Sequence, residues 1–233
     1  MKEGIVSRSR EIYITGKGKP NIVVYLEISP YYYPVVIEFP KMTEEKGERK
    51  IVMIYIALLR GINVGGKNKI DMKSLKQTFE RAGMNDVVTY INTGNIIFSN
   101  SGLSKNELSR ILEEAIHTDF ELQIKVIVRS IEDVRGIIEA IPDTWKNNKD
   151  MKSDVMFLWD EIDHESVLEQ LVIKPAIDTV KYVPGAILWS IDKKNAANSG
   201  MSNIIGTKLY KQVTIRNVNT ARKIYEIMQG QTS

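Results

Sequence analysis

The chain of 233 residues predicts an α+β fold, two βαββαβ-type units with antiparallel sheets behind a short β-rich extension. Three features carry that expectation. Residues 54–59 form an uninterrupted apolar run of buried-strand type. The segments after it follow in the order strand, helix, strand, strand, helix, strand. Texture also changes near residue 52, where short β-branched and aromatic runs give way to longer, regularly spaced elements.

Residues 1–52 hold the runs 11–14, 21–28 and 35–39, divided by Gly16, Gly18, Pro20, Pro30 and Pro34, and these read as short strands. A charged stretch, 41–50, connects them to Met53. Two readings stay open: residues 1–52 are a small appended β element, or an extension translated ahead of an older start at Met53.

From there the elements follow in turn. Strand 54–59 leads into a glycine-rich loop, 61–69, and Asp71 caps a helix with Met72, Leu75, Phe79 and Ala82 at helical spacing, ended by Gly83. Residues 87–91 and 96–98 read as strands joined through Asn92-Thr93-Gly94-Asn95, where Gly94 supplies a positive φ. Ser104 and Glu107 form a capping box before a helix that places Leu108, Ile111, Leu112 and Ala115 on one face. Strand 124–128 completes a split unit of the ferredoxin-like kind. The second half reads as helix 131–141, strand 155–159, helix 161–172, a hairpin of 179–183 with 186–191 about Pro184-Gly185, a loop at 193–206, strand 213–216 and helix 217–228. The expected division is 1–52, 53–130 and 131–233.

Composition excludes several chemistries. There is no cysteine, hence no disulfide, thiolate nucleophile, iron–sulfur cluster or cysteine-ligated zinc. Of the two histidines, His117 sits late in a helix and His164 in an acidic turn with Asp160, Glu161, Asp163 and Glu165, which lacks the spacing of a calcium loop. Neither a metal nor a cofactor is expected. No apolar run is long enough to cross a membrane, and no signal peptide opens the chain, so a cytoplasmic protein is expected.

Lys and Arg number 32 against 29 Asp and Glu, a net charge of +3, too small for a dedicated nucleic-acid binder. The excess is local. Arg60, Lys67, Lys69, Lys73, Lys76 and Arg81 face only Asp71 and Glu80 within 60–81, and Lys208, Lys211, Arg216, Arg222 and Lys223 form a second cluster.

The loop after the first strong strand pairs glycine with charge. Gly61, Gly65 and Gly66 let backbone N–H groups approach an anion beside a helix start, while Arg60, Lys67 and Lys69 supply cations and Asn63 an amide. Tight turns need the same glycines for their dihedrals alone. Gly61 to Lys67 also fits G-x-x-x-x-G-K, but Asn68 stands where a P-loop has Ser or Thr on Mg²⁺, and the antiparallel order is foreign to that motif. Thr93, Gly94 and Asn95 present a hydroxyl, backbone and amide, and Arg216 with Asn217 offers a guanidinium at a helix start. A plain turn and a capped helix are the structural alternatives for these two sets.

YIALLRGINVGGKNKIDM, then VVTYINTGNIIFSN, and TIRNVNTARKI near the end resemble the bacterial domain of unknown function 1697 family over about residues 53–230. The resemblance implies a two-part α+β fold and no settled activity. Val218 and Ile215 depart from the family's closing TTRNWNT-type segment.

The combined expectation is a protein that binds an anionic ligand (a nucleotide, phosphorylated metabolite or nucleic acid) in a cleft of Arg60, Gly61, Asn63, Gly65, Gly66, Lys67, Lys69, Thr93, Gly94, Asn95, Arg216 and Asn217. The alternatives are a protein-interaction or homo-oligomerisation module without catalysis and, ranked below it, a P-loop-like NTPase.

Overall fold

Strands pair throughout the described part of the first 52 residues. β1 (Arg10–Ile14), β2 (Asn21–Ile28) and β3 (Tyr31–Glu38) make an antiparallel sheet in that order, and β4 (Met42–Glu45) pairs with β5 (Glu48–Ile51). Pro34 lies within β3 rather than before it, tolerated because β3 is an edge strand. The stretch expected as a charged connector therefore contains two paired antiparallel strands. Residues 10–14, 21–28, 31–38, 42–45 and 48–232 are described by this computed structural model; the dividing residues Gly16, Gly18, Pro20 and Pro30, and Phe39, lie outside them. The chain divides into two units, Met1–Val52 and Met53–Ser233.

In the second unit β6 (Met53–Leu59) is apolar throughout because both of its faces are covered. Tyr55, Ala57 and Leu59 point to one layer, and Ile54, Ile56 and Leu58 to the other, as the strand period of two requires. α1 (Met72–Arg81), β7 (Asn85–Tyr90), β8 (Asn95–Asn100), α2 (Lys105–Phe120) and β9 (Val126–Ser130) follow, giving an antiparallel sheet ordered β7-β8-β6-β9. Leu75, Phe79, Leu108, Leu112 and Ile116 of the two helices pack on one face of it. α2 begins with the expected Ser104–Glu107 capping box.

α3 (Ile131–Glu139) then leads to β10 (Met151–Leu158), β11 (Thr179–Val183), β12 (Ala186–Asp192), the short α4 (Lys208–Lys211), β13 (Val213–Asn217) and α5 (Val218–Gln231). The second sheet is ordered β11-β12-β10-β13, the same order as the first. Its crossovers differ. The helix expected at 161–172 is two 3₁₀ segments, Asp160–Ile162 and Glu165–Gln170, because the Asp163 carboxylate between them accepts from the Gly185 N–H and the Tyr182 hydroxyl and draws the chain onto the hairpin. The expected loop 193–206 likewise winds through 3₁₀ turns at Lys193–Asn198 and Gly200–Asn203 before the unforeseen α4.

Near residue 130 the chain passes from one sheet to the other. α3 and α5 lie between the two sheets, where Val134, Ile137, Val218, Ala221, Ile224 and Met228 share one core with Ile56 and Leu58 of β6 and Val155 and Phe157 of β10. Residues 53–233 therefore form a single body with two repeats.

The strand registers make the repeat exact at the level of single residues. Val88, Ile97, Ile56 and Arg129 stand side by side across the first sheet, and Lys181, Leu188, Val155 and Arg216 across the second. Each sheet's last strand ends on the cap of the following helix, Ser130 for α3 and Asn217 for α5.

Candidate functional site

β6 ends at Leu59, whose N–H donates to the Gly94 carbonyl at 2.8 Å, while the Arg60 N–H donates to Lys125 at 3.0 Å. Beyond this anchor the chain leaves the sheet as a tongue, residues 61–70. Ile62 and Ile70 are buried at its base, and Val64, Gly65, Gly66, Lys67, Asn68 and Lys69 are exposed. The Lys67 N–H donates to the Val64 carbonyl across Gly65 (φ 59°) and Gly66 (φ 76°), a two-residue turn of the I′ kind that needs positive φ at both positions. The Asn63 N–H closes the next rung on the Asn68 carbonyl.

Asparagine side chains stiffen the tongue. Asn63 accepts from the Ile70 N–H at 2.9 Å and donates to the Ile70 carbonyl at 2.9 Å and to the Asn92 carbonyl at 2.8 Å, and Asn68 donates to the Gly61 carbonyl at 3.0 Å. Both asparagines hold positive φ, which their short side chains tolerate.

Part of the polar backbone of this loop is already engaged. The amides of Asn63 and Lys67 are used within the tongue rather than converging on one point. Asp71 closes the helix N-terminus, its carboxylate accepting from the Ser74 N–H at 2.8 Å, and that bond holds its pKa below the ordinary carboxylate value. An anion would meet a carboxylate there. The G-x-x-x-x-G-K match at residues 61–67 is a hairpin tongue on an antiparallel sheet.

Arg60 is half-exposed and pinned. Its Nε donates to the Val213 carbonyl at 3.1 Å and its Nη2 to the Tyr210 carbonyl at 2.9 Å, with the guanidinium carbon 5.3 Å from the centre of the Tyr210 ring. Tyr210 gave no signal in the sequence because its α4 is a single turn.

Arg216 lies inside, 8% exposed. Its Nη2 donates to the carbonyls of Leu59 (2.9 Å), Thr93 (3.0 Å) and Gly94 (3.2 Å), its Nη1 to Thr214 and Ile215, and its Nε to Asn95 Oδ1. Burial pushes its pKa down to about 10, so it stays charged at neutral pH among carbonyl dipoles, with no carboxylate partner among the described residues. The structure thus gathers Thr93, Gly94, Asn95 and Arg216 as expected, but Arg216 fills the cleft they were expected to line. Asn95 is fully buried, and Asn217 is spent as the cap of α5, accepting from the Thr220 N–H at 2.9 Å.

What remains open is Lys67 and Lys69, exposed and without an acidic partner among the described residues. Two grooves lie elsewhere. One of about 650 Å³ runs between α1 and α2 over Leu103, Ile111 and Ala115. Another, of about 610 Å³, follows the edge of β9 beside Arg110, Lys125, Trp159, Asp160 and Glu161, with both signs of charge.

A family model described as a protein of unknown function, DUF1697, matches residues 53–189, more than half of the chain. The chain belongs to the DUF1697 family. The match opens at the residue where the second unit opens and stops at Trp189, so β13, α5 and the TIRNVNTARKI segment stand beyond it. Among solved structures, that of the conserved bacterial protein SP0830 from Streptococcus pneumoniae is similar with a TM-score of 0.66 and 28% identity, over 76% of this DUF1697 chain and 99% of the pneumococcal one. No curated protein matches. Among the described residues, no helix of this DUF1697 protein is long and apolar enough to cross a membrane.

Proposed function

We propose that this DUF1697 protein binds an extended polyanion, a nucleic-acid backbone, through the tongue. One observation carries the reading: Lys67 and Lys69 project from a loop held rigid by its own hydrogen bonds, both exposed and neither paired with a carboxylate among the described residues. A hairpin backbone already held in one conformation has little backbone entropy left to lose on binding. Exposed cations on a surface hairpin suit a strand laid across the surface better than a small phosphorylated metabolite held in a pocket.

The test is anisotropy of a labelled single-stranded oligonucleotide with the full chain across a salt series. Each lysine that neutralises a phosphate contributes about 0.7 to the slope of log affinity against log salt. Changing both Lys67 and Lys69 to Ala is expected to weaken binding and lower the slope by about 1.4. Affinity and slope unchanged by the double variant would overturn the reading.

A further inference from the structure

Residues 53–233 contain two open sheets and hence four edge strands, and an edge strand presents unpaired backbone groups to other chains. Three of the four are blocked. Along β9 the Val126 N–H donates to Glu113 at 3.0 Å, the Ser130 N–H to Asp133 at 2.9 Å, and the Val128 carbonyl accepts from Arg129. Along β13 the Val213 carbonyl accepts from Arg60 and the Ile215 carbonyl from Arg216. β11 carries Lys181, exposed at its centre, a charge that repels an incoming strand.

β7 is the exception. Its start is guarded by a bulge between Asn85 and Val88 and by Gln231, which donates to the Asp86 carbonyl at 2.7 Å. Further along, the Tyr90 carbonyl at the strand's end accepts from Asn95 Nδ2 at 3.0 Å, and Val88 and Thr89 carry no such device among the described residues. The internal repeat supplies the comparison: Val88 pairs with Ile97 where Lys181 pairs with Leu188, at the same place in the two sheets. One repeat puts a lysine there and the other an exposed valine, followed by Ile91, also exposed.

We infer that β7 is a self-association edge, at which a second copy of this chain adds its own β7 antiparallel across a twofold axis to make a continuous eight-stranded sheet. Charge selects this occupant. Residues 87–90, VVTY, the last four of β7, carry no charged side chain, so two copies meet there without like-charge repulsion, while a charged peptide would find no complement along the edge. Their β-branched and aromatic content suits pairing with itself. A twofold contact also closes after one step instead of propagating, and Lys181 denies the opposite sheet a second open edge. This inference stands independently of the tongue.

Sedimentation velocity on the full chain over a wide range of concentration tests it. The wild type is expected to shift toward twice the monomer mass as concentration rises. Val88→Lys, which copies the lysine of the equivalent position, is expected to stay monomeric with an unchanged circular dichroism spectrum and melting midpoint. Val88→Thr keeps the strand's shape and neutrality and is expected to retain association. A wild type that is monomeric at every concentration, or association that survives Val88→Lys, would overturn the proposal.

Discussion

Arg129 and Arg216 occupy the same place in the two repeats, and each donates to the strand end that belongs to the other. Arg216 reaches from β13 to the Leu59 carbonyl at the end of β6, and Arg129 reaches from β9 to the Leu158 carbonyl at the end of β10. The turn glycines correspond as well, since the Leu59 N–H donates to Gly94 and the Leu158 N–H to Gly185. The exchange is reciprocal, a cross-lacing of the two halves through a pair of buried guanidiniums. Of the two, only Arg129 has an acid among the described residues, Asp160 at 3.1 Å.

Removing Arg216 takes the guanidinium donor from the Leu59 and Thr93 carbonyls and from Asn95 Oδ1 inside the protein, while the Gly94 carbonyl keeps the Leu59 N–H. Arg216→Ala is expected to cost about 3 to 5 kcal/mol, the scale for breaking one side of a buried charged network. Arg216→Lys keeps the charge without the planar fork and is expected to recover little of that. Urea denaturation followed by tryptophan fluorescence checks both, because Trp145, Trp159 and Trp189 all lie within 53–233.

Glycines with similar dihedrals differ in what a side chain would meet. A Cβ on Gly94 would stand 2.7 Å from the Leu59 Cβ, whereas one on Gly65 or Gly66 meets nothing within 4 Å. Gly66→Ala is expected to cost about 1 to 2 kcal/mol, the left-handed penalty alone. Gly94→Ala is expected to cost more than that, and the difference between the two melting midpoints measures the contact with Leu59.

Asp154 sits 7% exposed on β10, and burial raises its pKa despite Lys152 at 3.9 Å. A carboxyl raised in the folded state contributes stability that is present at low pH and lost as pH rises through its native value. At neutral pH the buried charge is therefore a cost. Asp154→Asn is expected to raise the melting midpoint at pH 7, with the gain shrinking as pH falls toward 4, the ordinary carboxylate range. A pH-independent difference between the two proteins would contradict this.

Asp178 shows the opposite sign. Burial opposes its charge, but hydrogen bonds from Ser199, the Lys174 and Gly200 N–H groups and the Trp189 indole prevail and lower its pKa. Its contribution is present above the ordinary aspartate value and lost as pH falls through the depressed one. Asp178→Ala is expected to cost about 2 to 4 kcal/mol at pH 7, as several buried donors lose their acceptor. The Trp189 emission spectrum should shift as its N–H loses that partner.

Much of the fold was legible because apolar strand runs and helix caps are local signals. β6, the Ser104 box and the βαββαβ order were all readable from neighbours in sequence. The second repeat was harder, since its crossovers are 3₁₀ turns whose buried residues, Ile162 and Val167, follow no helical period. The tongue's glycines carried two meanings, and dihedral need was the operative one. Arg216 misled for a further reason: its partners are backbone carbonyls, which every residue has and no sequence pattern marks. Lys67 and Lys69, read as binding residues, are the two whose charge is left unspent.

α3 and α5 form one wall that serves both sheets. A methyl group lost from Ile137 or Ile224 loosens two sheets at once, so change there is paid twice. The outer coverings each answer to one sheet only, and they already differ, two full helices over the first and 3₁₀ turns over the second.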